Sequence, residues 1–339
     1  MKFFDVLGRS TMPFQVFIGG RGIGKTYSAL KHTTFDENDE LKEYDQYGKF
    51  IYMRRMDKEI QLSASEISNP FKRINRDMGV DIYSEYSRRE GYSVFYRDID
   101  GEPKVVGYGV ALSTFAGLRG VDFSDCTTII FDEFISEEHV RKIKNEGKVF
   151  LNMYETVNRN RELQGEEPVK VYLLANSISL ASALLLEIGA VSTIADMIVK
   201  ERNKATLKEK QLYIELVDGG EVAEAKKETA LYKLTSGSDF SKQAIYNQFT
   251  NDNLNLAKKV VINEYKSEFK FCDYIFYKHK SREEFYIAKR NDTCKIVYTS
   301  TDVDMLRARF MYTYQRLVTA RMLFFDDYSS KLVFDTLLS

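Results

Sequence analysis

Across residues 1–199, short apolar runs alternate with polar stretches of helical spacing, the pattern of an α/β chain. Phe14 to Ile18 is an apolar run that predicts a buried strand, and Phe50 to Arg54 ("FIYMR") predicts a second. Asn69-Pro70 opens a helix that Gly79 stops after Met78. The stretch "YSVFYRDIDGEPKVVGYGVAL" reads as an antiparallel excursion turning at Asp100-Gly101. Thr127 to Phe131 ("TTIIF") is uninterrupted, as parallel strands covered on both faces are. A helix from about Lys148 to Glu162 and a strand from Val169 to Leu174 follow. Near residue 200 the texture turns polar, then "FKFCDYIFYKHKSREEFYIAKR" alternates like half-buried strands and "DVDMLRARFMYTYQRLVTARMLFF" shows helical spacing. The pattern predicts an α/β core with a mostly parallel sheet between helices over 1–199. A linker or small helical subdomain over 200–250 and a smaller α+β domain over 251–339 complete it.

Composition narrows the class. The three cysteines (Cys126, Cys272, Cys294) and three histidines (His32, His139, His279) are scattered, which excludes a disulfide framework and a zinc knuckle and fits a reducing compartment. The net charge of −1 hides a gradient, with a balance of −5 over 1–199, +1 over 200–250 and +3 over 251–339. No segment is basic enough to wrap nucleic acid, so contact with a polyanion falls to local loops. The longest apolar stretch, Leu180 to Ile194, is broken by Ser182, Glu187, Gly189 and Ser192, well short of the ~18 residues a membrane span needs. With no charged-then-apolar leader either, the expectation is a soluble, intracellular protein with no membrane partner.

Chemistry concentrates in a few places. Gly19-Gly20-Arg21-Gly22-Ile23-Gly24-Lys25-Thr26 fits the phosphate-loop pattern G-x-x-x-x-G-K-[ST] without a mismatch. Converging backbone N–H groups need positive φ and no Cβ in the way, which explains the glycines. Lys25 is expected at the β- and γ-phosphates of ATP, Thr26 at Mg²⁺, and Tyr27 in the first turn of a helix aimed at the phosphates. A dinucleotide fingerprint has different glycine spacing and is excluded. Asp132-Glu133 ends the "TTIIF" strand at the edge where α/β proteins bind ligands. Asp132 is expected to hold Mg²⁺, and Glu133 to polarise water as general base. Asn176, just past the next apolar strand, is a candidate sensor of the γ-phosphate. Arg159 and Arg161 lie two apart near a helix end and cannot face the same way; one could reach a neighbouring subunit as an arginine finger, or both could complement the helix dipole. Basic loops supply Arg119, Arg141, Lys142, Lys144 and Lys148, with Arg54, Arg55 and Lys58 after the second strand, as DNA contacts or as a solvated face.

Taken together, "FIGGRGIGKTYSAL", "FIYMRR", "TTIIFDEFI", "LNMYETVNRNRE" and "LLANSIS" resemble, in order and rough spacing, the φ29-type genome-packaging ATPases of small tailed bacteriophages. The resemblance covers about residues 14 to 180, with a short "NQF" (Asn247 to Phe249) beyond. It implies a homo-oligomeric ring, a pentamer, that docks on the portal of a procapsid and drives double-stranded DNA inward with ATP and Mg²⁺, with a structural RNA as a further candidate partner. It implies a place in the host cytoplasm and transient association with the capsid. By that resemblance Lys25 and Thr26 take the phosphate and Mg²⁺ positions, Asp132 and Glu133 the acidic pair, and Arg159 the trans-acting finger. A basic family residue falls on Asp57 or Lys58. The C-terminal domain would resemble an RNase-H-like nuclease without activity; Asp273, Glu283, Glu284, Asp302, Asp304, Asp326 and Asp327 are the acids such a site would draw on. A related DNA translocase or helicase, and an ATP-binding assembly protein with little turnover, stay open as alternatives.

Overall fold

Strand β1 (Phe14–Gly19) is FQVFIG, with every residue after the first buried, so it needs cover on both faces and neighbours on both edges. The structure, a computed structural model, describes residues 3–43, 48–118, 120–136, 140, 142–176, 180, 182–238, 241 and 257–338. In it β1 lies between β7 (Lys170–Asn176) and β9 (Leu212–Val217), parallel to both. The remaining strands of this sheet are β2 (Lys49–Arg54), β3 (Ile82–Ser87), β4 (Tyr92–Ile99), β5 (Glu102–Ala111), β6 (Cys126–Asp132) and β8 (Lys204–Leu207). Their order is β3-β4-β5-β2-β6-β7-β1-β9-β8. The run from β5 to β9 is parallel; β3, β4 and β8 are the antiparallel margins. Asp100 and Gly101 both have positive φ (55° and 81°) between β4 and β5, the tight turn read from the sequence.

Two compact units divide the chain. The first comprises residues 1–135, 149–178 and 203–248, and holds the nine-stranded sheet. Its helices include α1 (Lys25–Thr34), α2 (Asp57–Ser63), α3 (Lys72–Met78) and most of α4 (Glu146–Asn158). Part of the core is a triad of rings, Phe50, Phe71 and Phe95, with centroids 5.4 to 5.7 Å apart. That geometry lets Phe71, the residue before α3, pack on β2 and β4. Helix α4 stops four residues before the predicted end, because Arg159 and Asn160 both take positive φ (40° and 62°). The larger correction concerns residues 204–217, assigned above to a linker or helical subdomain. They are strands β8 and β9, and β9 is buried throughout. Only after them do the short helices of this stretch appear, at Gly220–Lys227 and Ala230–Leu234.

The second unit comprises residues 136–148, 179–202 and 249–339. Its five-stranded sheet contains β10 (Tyr265–Phe271), β11 (Tyr274–His279), β12 (Phe285–Lys289), β13 (Val297–Tyr298) and β14 (Leu323–Phe325), in the order β13-β10-β11-β12-β14. Phe269 stacks on Phe276 and on Phe310 of the helix Val303–Thr319, with centroids 4.4 and 5.0 Å away. Residues 183–199, expected within the first domain, form two apolar helices here. The one at Val191–Val199 packs on the terminal helix Tyr328–Leu338, which is where its buried face finds cover. Among the described residues no helix is long and apolar enough to cross a membrane.

Candidate nucleotide-binding site

Between β1 and α1 the chain makes the phosphate loop. Gly19 is required by close approach, since a Cβ there would lie 2.8 Å from the Val217 carbonyl oxygen of β9. Gly24, which starts α1, is required by its φ of +105°. Lys25 is 7% exposed, and its ammonium donates to the carbonyls of Gly19 and Gly20, both at 2.8 Å. Burial lowers its pKa to about 8, and Lys226 and Arg21 push the same way against the pull of Asp132 and Glu133. Lys226, on the helix that follows β9, also donates to the Arg21 carbonyl.

Strand β6 delivers the acids. The Thr26 hydroxyl donates to Asp132 Oδ1 at 2.9 Å, and the Tyr52 hydroxyl to Asp132 Oδ2 at 3.2 Å. Glu133 follows with φ +53°, a left-handed conformation that costs a non-glycine residue about 1–2 kcal/mol. Such strain is characteristic of functional turns. Asn176 ends β7 in register with Gly19, and its Oδ1 lies 3.5 Å from Lys25 Nζ. A pocket of about 500 Å³ opens here; Arg21, Lys25, Thr26, Asp132, Glu133 and Asn176 are among its walls, as are Gly22, Gly24 and Tyr27. Gly19, Gly20 and Ile23 are not; the Ile23 side chain turns into the core.

The residue missed from the sequence is Arg54. Its sequence neighbours group it with a basic loop, yet it ends β2 inside the site. Its guanidinium donates to Asp132 at 3.2 Å, Glu133 at 2.6 Å and Glu59 at 2.7 Å. Burial alone would lower its pKa, but Tyr52 and these carboxylates hold it above its ordinary value. Arg55 beside it is buried and Arg54 itself half-buried, so neither belongs to an exposed basic loop. Asp57 accepts from Tyr86 at 2.9 Å and Gln61 at 2.6 Å, whereas Lys58 is exposed.

Other candidates lie away from the pocket. Arg159 is half-exposed and paired with Asp122 at 2.9 Å, while Arg161 is tied to the Glu167 and Ser124 carbonyls and to Glu166. Neither is among the pocket's walls. Lys142 and Lys144 are exposed residues of the second unit. Arg119, Arg141 and Asn247 to Phe249 lie outside the described residues. The tail's acids are mostly engaged elsewhere: Asp326 by Lys259 and Tyr286, Glu284 by Tyr265, Asp327 in capping the last helix, Asp304 by Arg307. No group of three or more metal-ligating side chains occurs among the described residues.

A mostly parallel sheet, a glycine loop opening onto a helix, and an acidic strand end beside its lysine and threonine define a phosphate-loop nucleotide-binding protein. Within that class the chain belongs to the podovirus DNA encapsidation protein (Gp16) family, whose profile matches residues 6–335. It is 30% identical over 263 residues to the DNA packaging protein of Bacillus phage B103, covering 77% of this chain and 70% of that one. To the DNA packaging protein of Bacillus phage phi29 it is 28% identical over 262 residues, with 77% and 68% covered. Among solved structures, the bacteriophage Phi-29 viral genome packaging motor assembly shares the fold, with a TM-score of 0.60, 20% identity and 96% of each chain covered.

Proposed function

We propose that this protein is the ATP-hydrolysing subunit of a motor that drives double-stranded viral DNA through a portal into a preformed capsid. The observation that carries the reading is the strained Glu133 beside the Thr26–Asp132 pair at a phosphate loop, in a chain of the encapsidation family. Lys25 and the loop's N–H groups would hold the β- and γ-phosphates. Thr26 Oγ1 and Asp132 Oδ1 are the hard oxygen donors that suit a magnesium ion, which when bound spreads phosphate charge. Glu133 would orient water and take its proton, which requires Arg54 to release the carboxylate it now holds. Asn176, whose Oδ1 lies 3.5 Å from Lys25 Nζ, would report phosphate occupancy to β7.

Arg159 is a candidate finger for a neighbouring subunit, supported by its exposure and by its absence from the walls of its own pocket. A ring, a pentamer in this reading, follows, with an RNA adaptor as a further partner and the host cytoplasm as its setting. Lys142, Lys144, Arg119 and Arg141 remain proposed DNA contacts. The test is phosphate release with DNA, with and without portal-bearing capsids. Glu133→Gln should bind ATP normally while turnover falls by roughly 10²-fold or more. Equal rates for Glu133→Gln and wild type would sink the motor reading in favour of an ATP-binding assembly protein.

A further inference from the structure

Two chemically different sets of side chains line the pocket: the phosphate-loop and acidic residues, and Phe3, Tyr27, Arg73 and Asp77. A volume of about 500 Å³ suits a whole small-molecule ligand rather than a phosphate alone. Phe3 is 39% exposed, yet the chain around it is firmly held. The Phe4 N–H donates to the Ile23 carbonyl at 2.9 Å. Asp5 Oδ1 accepts from Ser28 at 2.8 Å and lies 2.7 Å from His32 Nε2, both on α1. The ring is thus held at a fixed place beside the start of α1 with part of its apolar surface open.

Helix α3 supplies the opposite wall. The Arg73 guanidinium carbon is 5.3 Å from the Phe3 centroid and 5.6 Å from the Tyr27 centroid, within cation–π range of both. A planar guanidinium beside two rings is a surface on which an aromatic heterocycle stacks. One turn on, Asp77 accepts from Arg76 at 2.9 Å and from Arg73 at 3.3 Å. The Arg76 hydrogen bond, then the charges of both arginines, hold Asp77 below the usual carboxylate range, so it offers acceptors only.

We propose that Phe3, Tyr27 and Arg73 form the stacking platform for the base of the bound nucleotide, and that Asp77 accepts a hydrogen bond from its exocyclic amine. The ligand class is an aminopurine nucleoside triphosphate. This rests on the nucleotide reading given above and adds base selection by the N-terminal strap and α3.

The test is equilibrium binding to the full chain, with Mg²⁺, of ATP, UTP, purine riboside triphosphate (which lacks the amine) and inorganic tripolyphosphate. Wild type should bind ATP about tenfold tighter than UTP and about tenfold tighter than purine riboside triphosphate. Phe3→Ala should collapse the first ratio, and Asp77→Ala the second, with tripolyphosphate affinity unchanged. Phe3→Leu keeps an apolar contact at Gly24 while removing the ring face, so it should behave like Phe3→Ala if stacking is the cause. ATP binding whose ratios survive all three substitutions overturns the base subsite alone. A wild-type chain that binds neither ATP nor tripolyphosphate overturns the nucleotide reading and the subsite with it.

Discussion

Lys25 shows what a single residue's burial does to this site. Its ammonium rests on two backbone carbonyls, and its pKa is lowered from 10.5 to about 8. Between those values an unfolded chain binds more protons than the folded one. Burial of the charge therefore costs stability below pH 8, and the cost fades as pH rises through 10.5. A triphosphate requires the charged form, so ATP binding at about pH 9 should take up a proton. Calorimetry in buffers of different ionisation heat would read this uptake, and Lys25→Met should abolish it. Uptake of zero in wild type would contradict the assignment. At this scale the loop was legible because its backbone demands glycine wherever it occurs. Arg54 was not, because the carboxylates Asp132 and Glu133 that give it meaning stand 78 and 79 residues away. Its one signal was an arginine ending an apolar strand that neighbours the acidic one.

Among the elements, the strap of residues 3–6 has the clearest energetic anchor. Burial would raise the Asp5 pKa, but the Leu7 N–H, the Ser28 hydroxyl and His32 hold it below 3.8. The stability it contributes is present above that value and lost as pH falls through the folded pKa. Asp5→Ala should cost about 1 kcal/mol at neutral pH, the half-exposed carboxylate being partly screened. It should also weaken ATP more than tripolyphosphate, because Phe3 loses its hold. Urea unfolding with an unchanged midpoint would remove the strap from consideration. Most strands were readable from apolar runs. Strand β8 was not, since an edge strand with alternate residues exposed (KATL) looks like any polar stretch. Strand β9 was hidden by Glu215, whose burial is met by Arg9 at 2.8 Å, from the other end of the unit's sequence, and by the Tyr213 hydroxyl at 2.7 Å.

For the whole molecule, assembly is where Arg159 can be decided. Mixing Arg159→Ala subunits with Lys25→Ala subunits should restore part of the ATPase activity at mixed interfaces, read as phosphate release across mixing ratios. No recovery at any ratio would return Arg159 to its own chain, as the partner of Asp122. The strap, the loop and the acidic strand all belong to the first unit, yet that unit is assembled from three separate stretches of chain. The second unit is likewise built from three, and its C-terminal helix covers apolar residues from 191–199. A cut near residue 200 or 250 would part Leu184, Ile194 and Met197 from the terminal helix that packs on their two helices. A single crossover between phage genes therefore cannot exchange one whole unit for its counterpart: wherever it falls, at least one unit is left with segments from both parents.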